Sequence, residues 1–197
     1  MEGAEHLVLV VIDGLDASGK NTQALKLCDF LRNRGNSVCL RFHPSDDNFF
    51  GVETKKFLYL RGKSARIATA FFYMLDVVRS IVLYSWRKYD YVIFVRYLMG
   101  TSYLPSPLFI VAYYFFASVV PRSDFMFFLD VTPKEAYGRI LQTRKRQEMF
   151  ESLAELELIR WRALSLALRG KWKIINADRS IGDIEKEILK LVSKRAR

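Results

Sequence analysis

The sequence predicts a three-layer α/β fold in which one five-stranded parallel sheet carries helices on both faces. Three observations predict it. Apolar runs of strand length recur along the 197 residues with helical patterns between them. Near-continuous hydrophobicity within such runs marks strands buried on both faces. The first run leads straight into a glycine-rich loop that opens a helix. The length suits a single domain, 1–197, with a sizeable core. No Ser-, Gly- or Pro-rich linker, low-complexity tract or internal repeat divides it.

Taken in order, the first strand is Leu7-Val8-Leu9-Val10-Val11-Ile12. Residues 14–21, Gly14-Leu15-Asp16-Ala17-Ser18-Gly19-Lys20-Asn21, follow it. Two glycines five apart let the backbone curl until successive N–H groups point inward. The helix N-terminus adds partial positive charge, and Lys20 reaches terminal phosphates. The loop therefore predicts a nucleotide polyphosphate ligand. Asn21, then Thr22, stand where Ser or Thr usually places a hydroxyl on Mg²⁺, and an amide oxygen is also a hard-cation ligand. The helix that follows presents Ala24, Leu27, Cys28 and Leu31 on one face and ends near Gly35. The next strands are Ser37–Phe42, Tyr91–Val95, Phe125–Leu129 and Trp172–Ile175. Ile181, Ile184, Ile188 and Leu191 mark the inward face of a C-terminal helix. In such sheets ligands sit beyond the carboxyl ends of the strands, here Asp13, 42–44, 95–97, Asp130 and 176–178.

The formal charge of +10, from 31 basic and 21 acidic residues, is compatible with an anionic small substrate, a nucleic acid or a membrane surface. Basic residues crowd at Arg139, Arg144, Lys145 and Arg146 and at the C-terminus, without a nucleic-acid-binding motif around them. A phosphotransferase would also need cations over its substrate. Cys28 and Cys39 lie in apolar company and read as buried thiols, and His6 and His43 form no metal cluster. Met1 to Glu5 lacks the basic start of a signal peptide, so a cytoplasmic location is expected. Residues 97–121 carry no charge and include Phe109-Ile110-Val111-Ala112-Tyr113-Tyr114-Phe115-Phe116. Their length alone would span a bilayer. Pro105, Pro107 and three serines argue against a clean transmembrane helix.

The loop and the strand ends together resemble the thymidylate kinase family of nucleoside monophosphate kinases, over nearly the whole chain. Ile12-Asp13-Gly14 through Thr22-Gln23 is similar to the family's loop. Arg41-Phe42-His43-Pro44 is similar to the segment after its second strand. Val95-Arg96-Tyr97 stands where the family has Asp-Arg-Tyr. Leu129-Asp130-Val131-Thr132-Pro133 and Ile175-Asn176-Ala177-Asp178 match two further stretches. The resemblance implies a P-loop NTPase-type fold and transfer of the γ-phosphoryl of ATP to dTMP or a related pyrimidine monophosphate, with Mg²⁺ as cofactor and a homodimer as the assembly. Such dimers bury apolar helices, so the resemblance also implies an internal or dimer-facing helix within residues 97–121.

Residue by residue, the resemblance gives Gly14, Asp16, Ala17, Ser18, Gly19, Lys20, Asn21, Thr22 and Ala177 to ATP, and Asn21 with Asp13 to the metal. Asp16, Phe42, Tyr73, Arg79, Arg96, Tyr97 and Tyr103 fall to the acceptor. Tyr73 is equally readable as core, since an aromatic on an apolar helix is often packing. The family's base-reading arginine is replaced by Asp76 or Val77, leaving Arg79 as a substitute. With Ala at position 17, catalytic arginines are expected from a lid at about 139–152, namely Arg144 and Arg146, with Arg139 the lesser candidate, beside Lys20 and Arg96. Arg160 falls where the family has a Val-Arg pair behind the lid. Val95 replaces a carboxylate that in the family helps hold Mg²⁺ and the reacting phosphates. Restoring it should raise turnover, unless valine simply completes an apolar strand. The alternative reading is a nucleotide-binding regulator on the same fold with little catalysis.

Overall fold

A computed structural model of the chain describes residues 7–60, 62–84, 89–121, 123, 125–143 and 148–193, the side chain of residue 63 excepted. Five parallel strands form one sheet in the order β2-β3-β1-β4-β5. These are β1 Val8–Gly14, β2 Val38–Phe42, β3 Tyr91–Val95, β4 Phe125–Asp130 and β5 Lys173–Asn176. The helices are α1 Lys20–Arg32, α2 Phe49–Phe57, α3 Lys63–Tyr84, α4 Leu108–Val119, α5 Pro133–Thr143, α6 Leu153–Arg169 and α7 Ile181–Ser193. A 3₁₀ turn spans Met99–Tyr103.

The strands fall where the apolar runs predict them, because only side chains without polar atoms can be buried on both sides of a sheet. Val10, Val11, Ile12 and the last three residues of β3 are fully enclosed. Strand β1 outruns its apolar run because Asp13 and Gly14 continue the ladder opposite Phe128 and Leu129. On one face of the sheet, Ala24, Leu27, Cys28 and Leu31 of α1 pack with Ile184 and Ile188 of α7 and Ile140 of α5. On the other, Tyr73, Met74 and Val77 of α3 meet Phe109 and Tyr113 of α4 and Ala163, Leu166 and Ala167 of α6. Ile181 does not share the inward face expected of it. It opens α7 and is 56% exposed, and Val192 completes the buried stripe instead.

Local signals set several boundaries. Asn48 caps α2 by accepting from Gly51 N, and Ser152 caps α6 by accepting from Glu155 N, each supplying an acceptor to an otherwise unpaired amide of a first turn. The uncharged segment divides at Pro105 and Pro107 into the 3₁₀ turn and α4, which buries Phe109 and Tyr113 and leaves Val111, Tyr114, Phe115 and Val119 outside. It is therefore only partly internal. At 12 residues α4 is too short to cross a bilayer. Among the described residues one helix, Ser64–Tyr84, passes by length and composition, with 39% of its apolar window buried.

Candidate functional site

The site begins where β1 turns into the loop. A Cβ on Gly14 would lie 2.5 Å from the carbonyl oxygen of Leu129 and 2.7 Å from Ser18 Oγ, so glycine alone lets β4 and the loop close on each other. Ala17 holds a left-handed φ of 58° and Gly19 one of 84°, a curl that brings the chain round to Lys20. Helix α1 starts there with no side chain capping it and no acidic residue in its first turn. Its positive end therefore opens onto the loop. The buried Lys20 ammonium sits inside the curl, donating to the Leu15 carbonyl at 2.7 Å and lying 3.7 Å from Asp16 Oδ1.

Asp16 links the loop to the end of β3. Its Oδ1 accepts from Arg96 Nη2, and its Oδ2 accepts from the Tyr103 hydroxyl at 3.2 Å. Arg96 also donates to the His43 carbonyl at 3.3 Å. Burial opposes the guanidinium's charge, but the Asp16 carboxylate, together with Tyr103 and Tyr73, outweighs it and the arginine's pKa rises. Arg96 stays charged at any working pH. Its φ of 62° is uncommon for a side-chain-bearing residue, and its N–H is tied to Ile12 O at 3.1 Å. The strain turns the guanidinium back towards the loop instead of out along the strand, and strained backbone of this kind clusters at functional sites.

Beside these residues a cavity of about 720 Å³ opens beyond the carboxyl ends of β1, β2 and β3. Gly14, Asp16, Asn21, Arg96 and Tyr103 line its loop side. Phe42, Leu58, Ala70 and Tyr73 give it apolar walls. Arg41 and Lys55 lie along it, each paired with a carboxylate of the same lining, Asp47 and Asp46. The Arg41 hydrogen bonds hold the Asp47 carboxyl well below the usual range. The volume falls within the range of small-molecule sites. An arginine at one end and apolar side chains at the other suit a phosphate joined to a base.

Several predicted residues meet here and others do not. Asp13, Gly14, Asp16, Asn21, Phe42, Tyr73, Arg96 and Tyr103 all line the cavity. Tyr73 is both wall and core. It is 5% exposed, its hydroxyl donates to Tyr97 O at 3.3 Å, and Gly100 lies so close that a Cβ there would stand 2.1 Å from the ring. Arg79 is turned instead to Asp47, at 3.8 Å, and is no part of the lining. Tyr97 is fully buried, with its hydroxyl on Pro121 O at 3.1 Å, because its side chain falls on the α4 side of the sheet. Asp13 is placed as a brace: Gly14 N, Tyr97 N and Met99 N occupy its two oxygens at 2.9, 2.8 and 3.2 Å. Burial raises its pKa despite those bonds, so it is poorly suited to hold a cation. Val95 packs fully buried with the α1 core between its register partners Ile12 and Phe42, and it does not line the cavity.

The lid prediction falls partly outside view, since Arg144 and Arg146 lie outside the described residues. The first part of the expected lid, 139–143, is the last turn and a half of α5. Arg139 donates from there to Ala17 O at 3.1 Å and Ala177 O at 3.3 Å, tying the loop to the end of β5. Ala177 is buried, its N–H on Asp130 O at 2.8 Å. Arg160 holds Asp130 with two bonds of 2.7 and 2.8 Å. At the other end Met149 N donates to Leu58 O at 2.9 Å, Phe150 packs edge-on to Tyr103, and Glu148 and Phe150 line the cavity. Sequence reasoning reached His43 only as part of the strand end 42–44, and it missed Ser45, Thr69 and Gly100 as cavity residues. The only signal for these three was position, three or four residues from Phe42, Tyr73 and Arg96.

Among the described residues no group of three His, Cys, Asp or Glu side chains could hold a metal. Mg²⁺ needs few protein ligands when phosphates supply the rest. The exposed Asn21 at the start of α1, bordering the cavity, fits such a site with its amide oxygen.

Comparison with known proteins places these observations in context. The family model described as Thymidylate kinase matches residues 12–188. The "Probable thymidylate kinase" of Pyrococcus abyssi is 30% identical over 196 residues, covering 93% of this chain and 94% of its own. The "Thymidylate kinase" of Leptospira borgpetersenii is 29% identical over 167 residues, 79% of each chain. Among solved structures, a thymidylate kinase from Candida albicans superposes with a TM-score of 0.75 at 16% identity, covering 96% of this chain and 92% of that one.

Proposed function

The chain belongs to the thymidylate kinase family, and from that premise we propose that it moves the γ-phosphoryl of ATP to dTMP or a related pyrimidine monophosphate, giving the diphosphate. The observation that carries the proposal is the chain of contacts Lys20–Asp16–Arg96, which joins the phosphate loop to a cavity of nucleotide size. Two anionic phosphates are thereby presented to each other with a cation beside each.

In this reading the curled loop amides and the α1 N-terminus hold the triphosphate, and Lys20 follows its terminal groups. Arg96 grips the acceptor phosphate with the planar fork that suits it. Asp16 keeps the two cations in register, and Tyr103, fixed on Asp16, borders the acceptor's sugar. Phe42 and Tyr73 flank the base. Asn21 would hold Mg²⁺, which would neutralise phosphate charge when bound. The acceptor phosphate is already ionised, so no strong general base is needed. Catalysis is positioning together with charge stabilisation. Arg144 and Arg146 supply cations from a lid at about 139–152, within a single kinase domain. Arg139 belongs to the nucleotide side, where it holds the loop.

The assembly in this reading is a homodimer in the cytoplasm, with no nucleic-acid partner. Its contact surface includes the exposed Val111, Phe115 and Val119 of α4, since such an apolar patch is costly in water. The test is ADP release from ATP as a function of added pyrimidine monophosphate, in wild type and Arg96→Met. Acceptor-dependent release that falls in the variant at least 100-fold in kcat/KM supports the reading. Release indifferent to acceptor and to Arg96 refutes it.

A further inference from the structure

Arg96 departs from the strand that it follows, and a single neighbour holds both its backbone and its guanidinium. The ladder between β2 and β3 runs out at Phe42 opposite Val95, and His43, the next residue, still donates its N–H to Val95 O at 3.1 Å. Beyond that point Arg96 takes its left-handed φ of 62°, and its carbonyl oxygen meets the His43 ring: Nδ1 lies 3.0 Å from it and 3.3 Å from Val95 O. Both of these oxygens are acceptors, so the ring proton sits on Nδ1. Pro44 has no N–H to offer there. The Arg96 guanidinium in turn donates through Nη1 to the His43 carbonyl at 3.3 Å and through Nη2 to Asp16. One histidine thus ties down the carbonyl, the preceding peptide and the side chain of one strained residue.

The His43 ring is buried and packs edge-on to Phe94, with centroids 5.4 Å apart. Its Nε2 finds no hydrogen-bond partner among the described residues, and a buried polar atom without one is unfavourable. An all-carbon ring would pack without that penalty, so what this ring supplies is the Nδ1 donor. Burial, reinforced by Arg41 and opposed by Asp76, lowers its pKa to about 4. The ring is therefore neutral at pH 7 and holds the arginine without placing a like charge beside it. The segment that carries His43 is pinned in turn from α3. Two residues on, Ser45 donates its N–H to Asp76 Oδ2 at 2.7 Å and its hydroxyl to Asp76 Oδ1 at 2.5 Å, and Asn48 Nδ2 donates to the same Oδ1 at 2.7 Å. Asp76 is fully buried, and it is one of the two residues that stand in place of the family's base-reading arginine.

From these contacts we infer that His43 is the positioning residue of Arg96, fixing its strained backbone and its guanidinium together, and that Asp76 anchors the segment from which His43 acts. The acceptor phosphate then meets a fork that is already aimed. A long side chain that had to be ordered on binding would give back part of the contact in lost rotamer freedom. Without the Nδ1 donor the left-handed backbone loses a bond that offsets its strain, and the guanidinium loses its fixed direction. The inference rests on the kinase reading only for what Arg96 grips.

The experiment is calorimetric titration of the full chain with dTMP, dCMP and dUMP, and separately with ATP, the tightest-binding monophosphate serving for the comparison. His43→Asn brings an amide nitrogen to the place of Nδ1, His43→Gln brings it to the place of Nε2, and His43→Phe keeps a ring without a donor. The Gln and Phe variants should weaken the monophosphate about tenfold or more while ATP binding stays within about twofold, and Asn should stay within about threefold of the wild type. Added to Arg96→Met, His43→Phe should weaken binding by less than about twofold further, because a residue that acts through the arginine then has nothing left to position. Asn as damaging as Gln would overturn the inference, as would folded Gln or Phe variants that bind like the wild type. Losses that multiply in the double variant would overturn it too, since independent packing gives that result. Should the Phe variant not fold, the comparison of Asn with Gln decides. A wild type that binds none of the three monophosphates also overturns it. Label transfer from ATP is read in parallel: the expected binding pattern without transfer counts against the kinase reading and leaves the inference standing. Transfer together with losses that multiply does the reverse.

Discussion

Val95→Asp restores the residue type that the family's motif carries, yet the structure predicts a loss of stability. Val95 is fully enclosed, hydrogen-bonded through its backbone within the sheet and packed with the α1 core. Valine and aspartate are close in size, so little cavity results and the cost is mainly electrostatic. Asp13 provides an internal gauge: even with three backbone amides around it, burial raises its pKa. A carboxyl at 95 would be flanked by Ile12 and Phe42. Burying an unpaired polar group costs about 1–3 kcal/mol even when neutral. Holding the carboxyl neutral at pH 7 adds about 1.4 kcal/mol for each unit by which pH 7 exceeds its unperturbed pKa near 4. The sum, about 5–7 kcal/mol, is a large part of the ~5–15 kcal/mol that a domain has. At ~2–4 °C per kcal/mol for a chain of this size, the melting temperature should fall by about 10–28 °C. Thermal melting and acceptor-dependent turnover, measured with and without Mg²⁺ and ATP, check this. A variant that melts with the wild type and gains ~10- to 10³-fold in turnover would show that position 95 meets the phosphates, and would refute the placement of its side chain in the core.

Lys20→Ala should weaken ATP binding far more than Lys26→Ala, because Lys20 lies inside the loop whereas Lys26 pairs with Glu185 at 2.8 Å on the α1–α7 face; equal losses by calorimetry would sink the loop assignment. Replacing Arg144 and Arg146 together by Ala should lower kcat more than it raises the acceptor KM, and a change in KM alone would remove them from the transition state. Phe115→Asp should shift sedimentation without detergent from about twice the monomer mass towards monomer or aggregate, since an unpaired charge in an apolar contact is strongly disfavoured; a wild type that sediments as monomer at micromolar concentration rejects the dimer. His43 is neutral when folded down to about pH 4 and titrates near 6.5 when unfolded, so the unfolded chain binds more protons between those values. Its contribution to stability is full above pH 6.5 and is lost as the pH falls towards 4. The wild type should then lose ~3 kcal/mol more than His43→Gln across that window, and identical urea-melt profiles would contradict it.

The strands and the loop were legible because their physics is local. A parallel strand must be apolar on both faces, and a phosphate loop must have glycine where a Cβ would strike Leu129. Arg96, which converges on Asp16, was also legible, since it stands in the Val95-Arg96-Tyr97 segment. What sequence could not settle was direction. Arg79 and Tyr97 have fitting chemistry near fitting motifs, but one turns to Asp47 and the other into the α4 side of the sheet. Asp13 reads as a metal ligand until its oxygens are seen to be filled by backbone amides, which no spacing reveals. Ser45 and Thr69 line the cavity without standing in any motif, because their places follow from the packing around Asp76 and α3.

The central claim is that the loop and the cavity together pass a phosphoryl group between two nucleotides. Incubating the chain with Mg²⁺, γ-labelled ATP and each pyrimidine monophosphate in turn, then separating the products, tests it most directly. Label recovered in a pyrimidine nucleoside diphosphate, and lost in Lys20→Ala and Arg96→Met, is the predicted result. A folded chain that binds ATP and a monophosphate but leaves all label in ATP, or releases it only as inorganic phosphate, would contradict the claim.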